Sequence, residues 1–327
     1  MLLFSWGCYG QDVHFSQTEN APLNLNPALC GFENDLSISS NYKTQWKPTL
    51  APFKTFALSA DGCLNSNLRS VMKLNTGVLI SRDQAGDPQL NTTSINGYLA
   101  SKIKITENQY VGAGIYLGYR QISLQEEGGQ WASQYNGTEF DTDIVSGEIM
   151  GQMKFGGLNS GVGLTYSVGS NPKSKLEGSE KNLTAGVSIF NLNKPRNSFF
   201  ENSSARLYQR YSVFVKSKLG IRGSIASFEP SAYYHLQVPF QEIQFGTYVS
   251  FDLLNAGRYI GNMSDYKVGI GLFHRWKDAF IVKMYVNISS FKMGLSYDFN
   301  VSSLQLSSNV RGGTEFFLAY QLKSFKK

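Results

Sequence analysis

The feature that most constrains this chain is alternation with a period of two residues, repeated from about residue 35 to the end. Successive side chains of a strand point to opposite faces. In 110–119 (YVGAGIYLGY), Val111, Ala113, Ile115, Leu117 and Tyr119 share one face; Gly112, Gly114 and Gly118 share the other with Tyr110 and Tyr116. In 161–168, Val162, Leu164, Tyr166 and Val168 oppose Gly161, Gly163, Thr165 and Ser167. In 291–299, Phe291, Met293, Leu295, Tyr297 and Phe299 oppose Lys292, Gly294, Ser296 and Asp298. Segments 243–251, 266–276 and 314–322 continue the pattern.

A soluble sandwich alternates too, so the chemistry of the two faces decides. One face is apolar and often ends in Tyr, Phe or Trp. The other is small or polar, and in the candidate strand 144–155 it carries Glu148, Gln152 and Lys154. That is the pattern of lipid outside, a wet lumen inside and aromatic girdles at both interfaces. Many runs reach about 9–11 residues, the length a tilted strand needs to cross hydrocarbon, against about 5–6 in soluble proteins. No stretch approaches the roughly 18 apolar residues of a spanning helix. In lipid, only helices and closed barrels satisfy every backbone group.

The sequence therefore predicts an all-β transmembrane antiparallel β-barrel. Candidate strands lie near 35–43, 53–61, 71–81, 93–105, 109–120, 144–155, 160–168, 183–191, 208–219, 222–235, 241–252, 265–276, 279–287, 290–299 and 314–322. Single-chain bacterial barrels have even strand numbers, so about fourteen strands are expected, with sixteen as the alternative. Lys277-Asp278 and Ser289-Ser290 suit tight turns; 121–143, 169–182, 192–207 and 300–313 suit loops. No composition shift marks a second globular domain.

The boundaries read from the N-terminus are three. Residues 1–10 (MLLFSWGCYG) resemble the remainder of a secretory signal, cleaved after Gly10, with a buried first strand as the other reading. Residues 11–33 hold Pro22 and Pro27 with little alternation and predict an extended N-terminal arm. Such an arm is a partial plug, a contact at the periplasmic mouth, or an ordered tail. Residues 34–327 form the barrel. Cys30 and Cys63 pair or stay as inert thiols; the spacing leaves both open.

With 42% hydrophobic and 13% aromatic residues, the chain is too apolar to be disordered. Its net charge of +6 comes without a basic cluster, which suits contact with anionic lipopolysaccharide and gives no reason to expect nucleic acid. No enzyme is expected. The histidines are His14, His235 and His274, and a Ser near a His carries little information where serines abound. Zinc-type ligand spacing is missing, the glycine runs lack the context of a phosphate loop, and Asp141 and Asp143 read as a solvated loop. Neither cofactor nor metal is implied. The sharper candidates for partner recognition are Asn26 and Pro27 in the arm, with Tyr297, Asp298 and Glu315. Tyr297 is expected at the lipid interface, and Asp298 and Glu315 in the lumen, with Arg275 or Lys292 as counter-charge.

Two segments carry a family resemblance. Gln11-Asp12-Val13-His14-Phe15-Ser16-Gln17, followed by Pro22-Leu23-Asn24-Leu25-Asn26-Pro27-Ala28, opens the chain. The second runs from Glu229-Pro230-Ser231 through Gly294-Leu295-Ser296-Tyr297-Asp298 and Ser303-Leu304 to Gly312 and Glu315. Both resemble the PorP/SprF family of type IX secretion and gliding-motility membrane proteins of Bacteroidota. Gly313-Thr314 stands where the family is expected to show Ser-His, and Cys30 is a second departure. Arg311–Leu318 also resembles the signal read by the barrel-assembly machinery, although the tail 323–327 runs past the usual terminal aromatic. The resemblance implies residence in the cell outer membrane and partners from the type IX system. A SprF-like member delivers or retains a secreted adhesin through its C-terminal domain; a PorP-like member couples to the periplasmic ring. The SprF-like role is favoured. The alternative function is a passive channel for small solutes.

Overall fold

The structure, a computed structural model, describes residues 12–45, 53–65, 71–85, 90–124, 132–139, 141, 143–144, 154–170, 180–200, 203–253, 266–301 and 311–322. Fourteen strands close a barrel. They are β1 (Leu36–Gln45), β2 (Phe53–Cys63), β3 (Met72–Ala85), β4 (Leu90–Thr106), β5 (Gln109–Ser123), β6 (Lys154–Ser170) and β7 (Lys181–Phe190). The circuit continues through β8 (Arg210–Gly220), β9 (Ala226–Gln237), β10 (Phe240–Leu253), β11 (Tyr266–Arg275), β12 (Ala279–Ile288), β13 (Phe291–Asn300) and β14 (Arg311–Leu322). Each strand pairs antiparallel with its neighbours in sequence, and β14 closes on β1 with Leu36 opposite Leu322 and Gln45 opposite Gly313. No edge remains to be satisfied, as hydrocarbon requires.

The two faces of each strand follow the alternation. Ile115, Leu117, Leu164, Ile270, Leu272, Met284, Phe316 and Leu318 point outward and are exposed, while Tyr116, Lys283, Ser296, Asp298 and Glu315 point inward and are buried. Outward aromatics collect at both ends of the wall: Tyr119, Trp276, Phe280 and Phe299 at one, Tyr166, Phe228, Phe251 and Phe291 at the other. Tight turns lie at Lys277 and Ser289, where φ is +62° and +54°.

The expected strand over 144–155 falls mostly outside the described residues. Its last two residues, Lys154 and Phe155, enter a strand, as the start of β6; residues 145–153, with Glu148 and Gln152, lie outside the described residues. Residues 1–11, which carry the expected signal remnant and cleavage site, also lie outside the described residues.

β1 starts and β14 finishes at the same end, here called the termini end. The two longest connections, 124–153 and 191–209, lie at the far end. The polar lumen is the third structural layer, and it is not empty. Residues 13–34 occupy it.

Candidate functional site

The arm contains a short turn at Thr18–Asn20, α1 (Pro22–Leu25) and a second turn at Pro27–Leu29. Proline stands at the first helical position of both α1 and the second turn, where its missing N–H costs nothing. Asp12 anchors the arm at the far end. Its carboxylate accepts from Arg120 Nη1 at 2.6 Å and Asn191 Nδ2 at 2.7 Å, and its N–H donates to Gln237 Oε1 at 2.9 Å. Burial alone would raise the Asp12 carboxyl, but Arg120, Arg210 and Asn191 outweigh it and hold it below its ordinary value. The chain then folds back on itself, with Asn24 Nδ2 donating to Val13 O at 3.1 Å. It reaches the termini end at Gly31, whose N–H donates to Asp61 Oδ2 at 2.7 Å.

Lumen-facing glycines form the seat. A Cβ on Gly114 would stand 2.5 Å from Pro27 O and 2.6 Å from Ala28 N. One on Gly112 would meet the Phe32 ring at 2.9 Å, one on Gly163 would meet Pro27 Cδ at 2.9 Å, and one on Gly294 would meet Gln17 Oε1 at 2.8 Å. At these positions the small residue makes room for the arm, while Gly161, Gly186, Gly246, Gly269 and Gly271 relieve crowding against aromatic rings of the wall itself. That signal was legible in the residues, but its partner was not.

Asn26 and Pro27 lie at the centre of this seat. Asn26 is fully buried and bridges two strands: Nδ2 donates to Leu164 O at 3.1 Å and Val187 O at 2.9 Å. Its Oδ1 accepts from Ala28 N–H at 2.8 Å, capping the following turn. Leu164 and Val187 carry lipid-facing side chains, so Asn26 takes carbonyls of the wall itself.

Asp298 and Glu315 meet the arm from the opposite wall. Asp298 Oδ2 pairs with Arg275 Nη2 at 2.9 Å and accepts from Ser16 Oγ at 2.7 Å. Glu315 accepts from the N–H groups of Ser16 at 2.7 Å and Gln17 at 3.2 Å. Lys292, the other cation considered for these acids, instead donates to Asn20 Oδ1 at 2.7 Å. Tyr297 stands apart: it faces outward, half-buried, edge-on to Phe299 at 4.8 Å. Four of the five singled-out residues thus bear on the arm, and Tyr297 belongs to the lipid-facing wall.

On the termini side the arm leaves a vestibule of about 780 Å³. Its floor includes Glu19, Asn20 and Phe32, and its walls include Lys102, Glu229 and Lys292. Glu19 pairs with Lys283 at 3.0 Å and accepts from Tyr248 OH at 2.5 Å. Burial opposes ionisation of Glu19, yet these two partners keep its carboxyl below its ordinary value. A small cavity of about 10 Å³ lies beside His14 and His235.

A family model described as type IX secretion system membrane protein PorP/SprF matches residues 7–320. The chain belongs to the PorP/SprF family. No curated protein sequence matches it. Similar solved structures include a TodX monoaromatic hydrocarbon channel mutant (deltaS2S3), 10% identical, covering 94% of this chain and 95% of that one at a TM-score of 0.44. CdiB from Acinetobacter baumannii is 7% identical over 88% of this chain and 60% of its own, with a TM-score of 0.42. OprB from Pseudomonas putida is 10% identical over 89% and 93%, with a TM-score of 0.39.

In this PorP/SprF barrel the three histidines have distinct surroundings. His274 lies on the outer wall beside Phe280, with ring centroids 4.5 Å apart. His235 Nδ1 is 2.8 Å from Ser212 Oγ, a nucleophile–base distance. That pair faces the lumen, where a cavity of about 10 Å³ lies between His235 and the arm. His14 lies in the arm, and Lys43 and burial hold its imidazole down at about 4 against the opposing pull of Glu242. Cys30 and Cys63 are both free; burial raises the Cys30 thiol, with Asp61 adding to it.

Proposed function

We propose that this chain is an outer-membrane docking barrel of the type IX secretion system that acts by binding, not catalysis, and supports delivery or surface attachment of a secreted adhesin-type protein through that protein's C-terminal domain. The observation that carries this reading is the arm. It runs through the lumen from Asp12 at the far end to Gly31 at the termini end and is held to opposite walls by hydrogen bonds at Asn26 and at Ser16. A barrel so filled is a rigid scaffold with a recess, and the passive-channel alternative requires the arm to leave. Orientation follows from the connections. Barrels of this kind carry short periplasmic turns and longer external loops, so 124–153 and 191–209 face outward and the vestibule opens on the periplasm.

Co-purification from native outer membrane tests the proposal. The intact chain is expected to bring down a surface-adhesin C-terminal domain; recovery of periplasmic ring components instead assigns the PorP-like role. Recovery of neither, with adhesin still displayed after deletion of this chain, overturns the docking reading.

A further inference from the structure

The vestibule carries chemistry that the arm does not use up. Its four lining glutamates each hold a lysine already: Glu19 holds Lys283, Glu33 holds Lys216, Glu180 holds Lys218 and Glu229 holds Lys267. Asp61 accepts from the Gly31 N–H through Oδ2. Lys102 and Lys292 differ. Lys102 Nζ donates to the carbonyl of Phe32 at 2.5 Å, and Lys292 Nζ to the side-chain carbonyl of Asn20 at 2.7 Å. Both acceptors are neutral. Neither lysine has a carboxylate within ion-pair distance among the described residues. Each also stands by an aromatic wall: Lys102 lies 4.3 Å from the Phe32 ring centroid and 4.6 Å from that of Tyr110, and Lys292 lies 4.8 Å from that of Tyr285.

We infer that the vestibule receives an extended peptide segment bearing carboxylates, and that Lys102 and Lys292 are the groups that meet them. The inference rests on the docking reading above for the side from which the segment enters. An incoming carboxylate would replace a neutral acceptor with an opposite charge and so add direct ion-pair attraction at each lysine. The four glutamates that would attract a cationic segment are already paired with lysines. The volume of about 780 Å³ lies within the range of ligand sites, and Ser39, Ser167, Thr184 and Ser231 supply hydroxyls along the walls for a peptide backbone. Lipid is a poor occupant, since the recess lies inside the wall and away from the apolar face. Because the two lysines also pin Phe32 and Asn20, an occupant would bear directly on the arm.

The test uses the purified full-length chain in nanodiscs and fluorescence anisotropy with two pools of octapeptides. One pool is rich in Asp and Glu; the other has the same sequences with Asn and Gln in their place. The acidic pool is expected to bind at least about tenfold more tightly, and the Lys102→Gln/Lys292→Gln variant to lose that advantage. Glutamine removes the charge while leaving an amide donor on a side chain one atom shorter. Heat-modifiable gel mobility verifies that the variant barrel is folded, and Lys102→Arg/Lys292→Arg is expected to retain binding if the Gln form does not fold. Equal binding of the two pools, or undiminished binding by the uncharged variant, overturns the inference. Co-purification of a secretion partner by wild type and the Gln variant alike would leave the docking reading standing and sink this one.

Discussion

At the scale of single residues, the arm is held by a few buried polar groups whose loss is costly because nothing replaces them. Asn26→Ala removes the donors to Leu164 and Val187 and the cap on Ala28. A loss of about 1–3 kcal/mol is expected from unsatisfied buried groups, read as a lowered urea midpoint of the lipid-reconstituted barrel. Asp298→Ala strips Arg275 of a partner in a pair whose side chains are 4% and 2% exposed, and about 3 kcal/mol or more should be lost. His14 makes a pH prediction. Lys43, Arg275, Glu242 and Asp298 all act on it, and the balance leaves its folded pKa at about 4 against an ordinary 6.5. A lowered histidine pKa means the unfolded state binds more protons between those values, so stability falls as pH drops from 6.5 toward 4. The pH slope of the unfolding midpoint in that window should be shallower in His14→Gln than in wild type; identical slopes would refute the assignment.

At the scale of elements, the wall and the arm depend on each other through glycine. Gly114→Val places atoms against Pro27 and Ala28 and should cost about 1–3 kcal/mol by overpacking. Gly97 is the control: it faces outward, and a Cβ there meets only Leu117 O at 3.8 Å. Gly97→Val should be near neutral, since valine favours strands. Equal effects at both positions would mean that the arm does not sit on the glycine face in solution. The strands themselves were legible because period-two alternation is local: each ten-residue window carries its own evidence. The same locality limits boundaries: the candidate strand over 144–155 contributes Lys154 and Phe155 to β6, and the rest of it lies outside the described residues. The arm was legible only as a segment without alternation and with two prolines. Its position rests on contacts such as Ser16 to Glu315, 299 residues apart, which no window can contain.

At the scale of the whole molecule, closure of fourteen strands around a covalently attached arm predicts an electrically quiet barrel. Planar bilayers holding the intact chain should show no steady conductance, whereas a folded variant lacking residues 12–33 should show stepwise current. A steadily conducting intact chain would revive the channel reading. By itself, the sequence determined the barrel and which side chains meet lipid or lumen, because hydrocarbon imposes one rule on every strand and that rule is written two residues at a time; the choice of fourteen strands over sixteen came from closure of the circuit. Only the tertiary structure decided that the glycine face seats the arm, that Arg275 answers Asp298 while Lys292 turns to Asn20, and that a charged recess remains beneath. Those outcomes depend on which walls face each other across the closed lumen, a distance set by the circumference of the barrel and recorded nowhere along the chain.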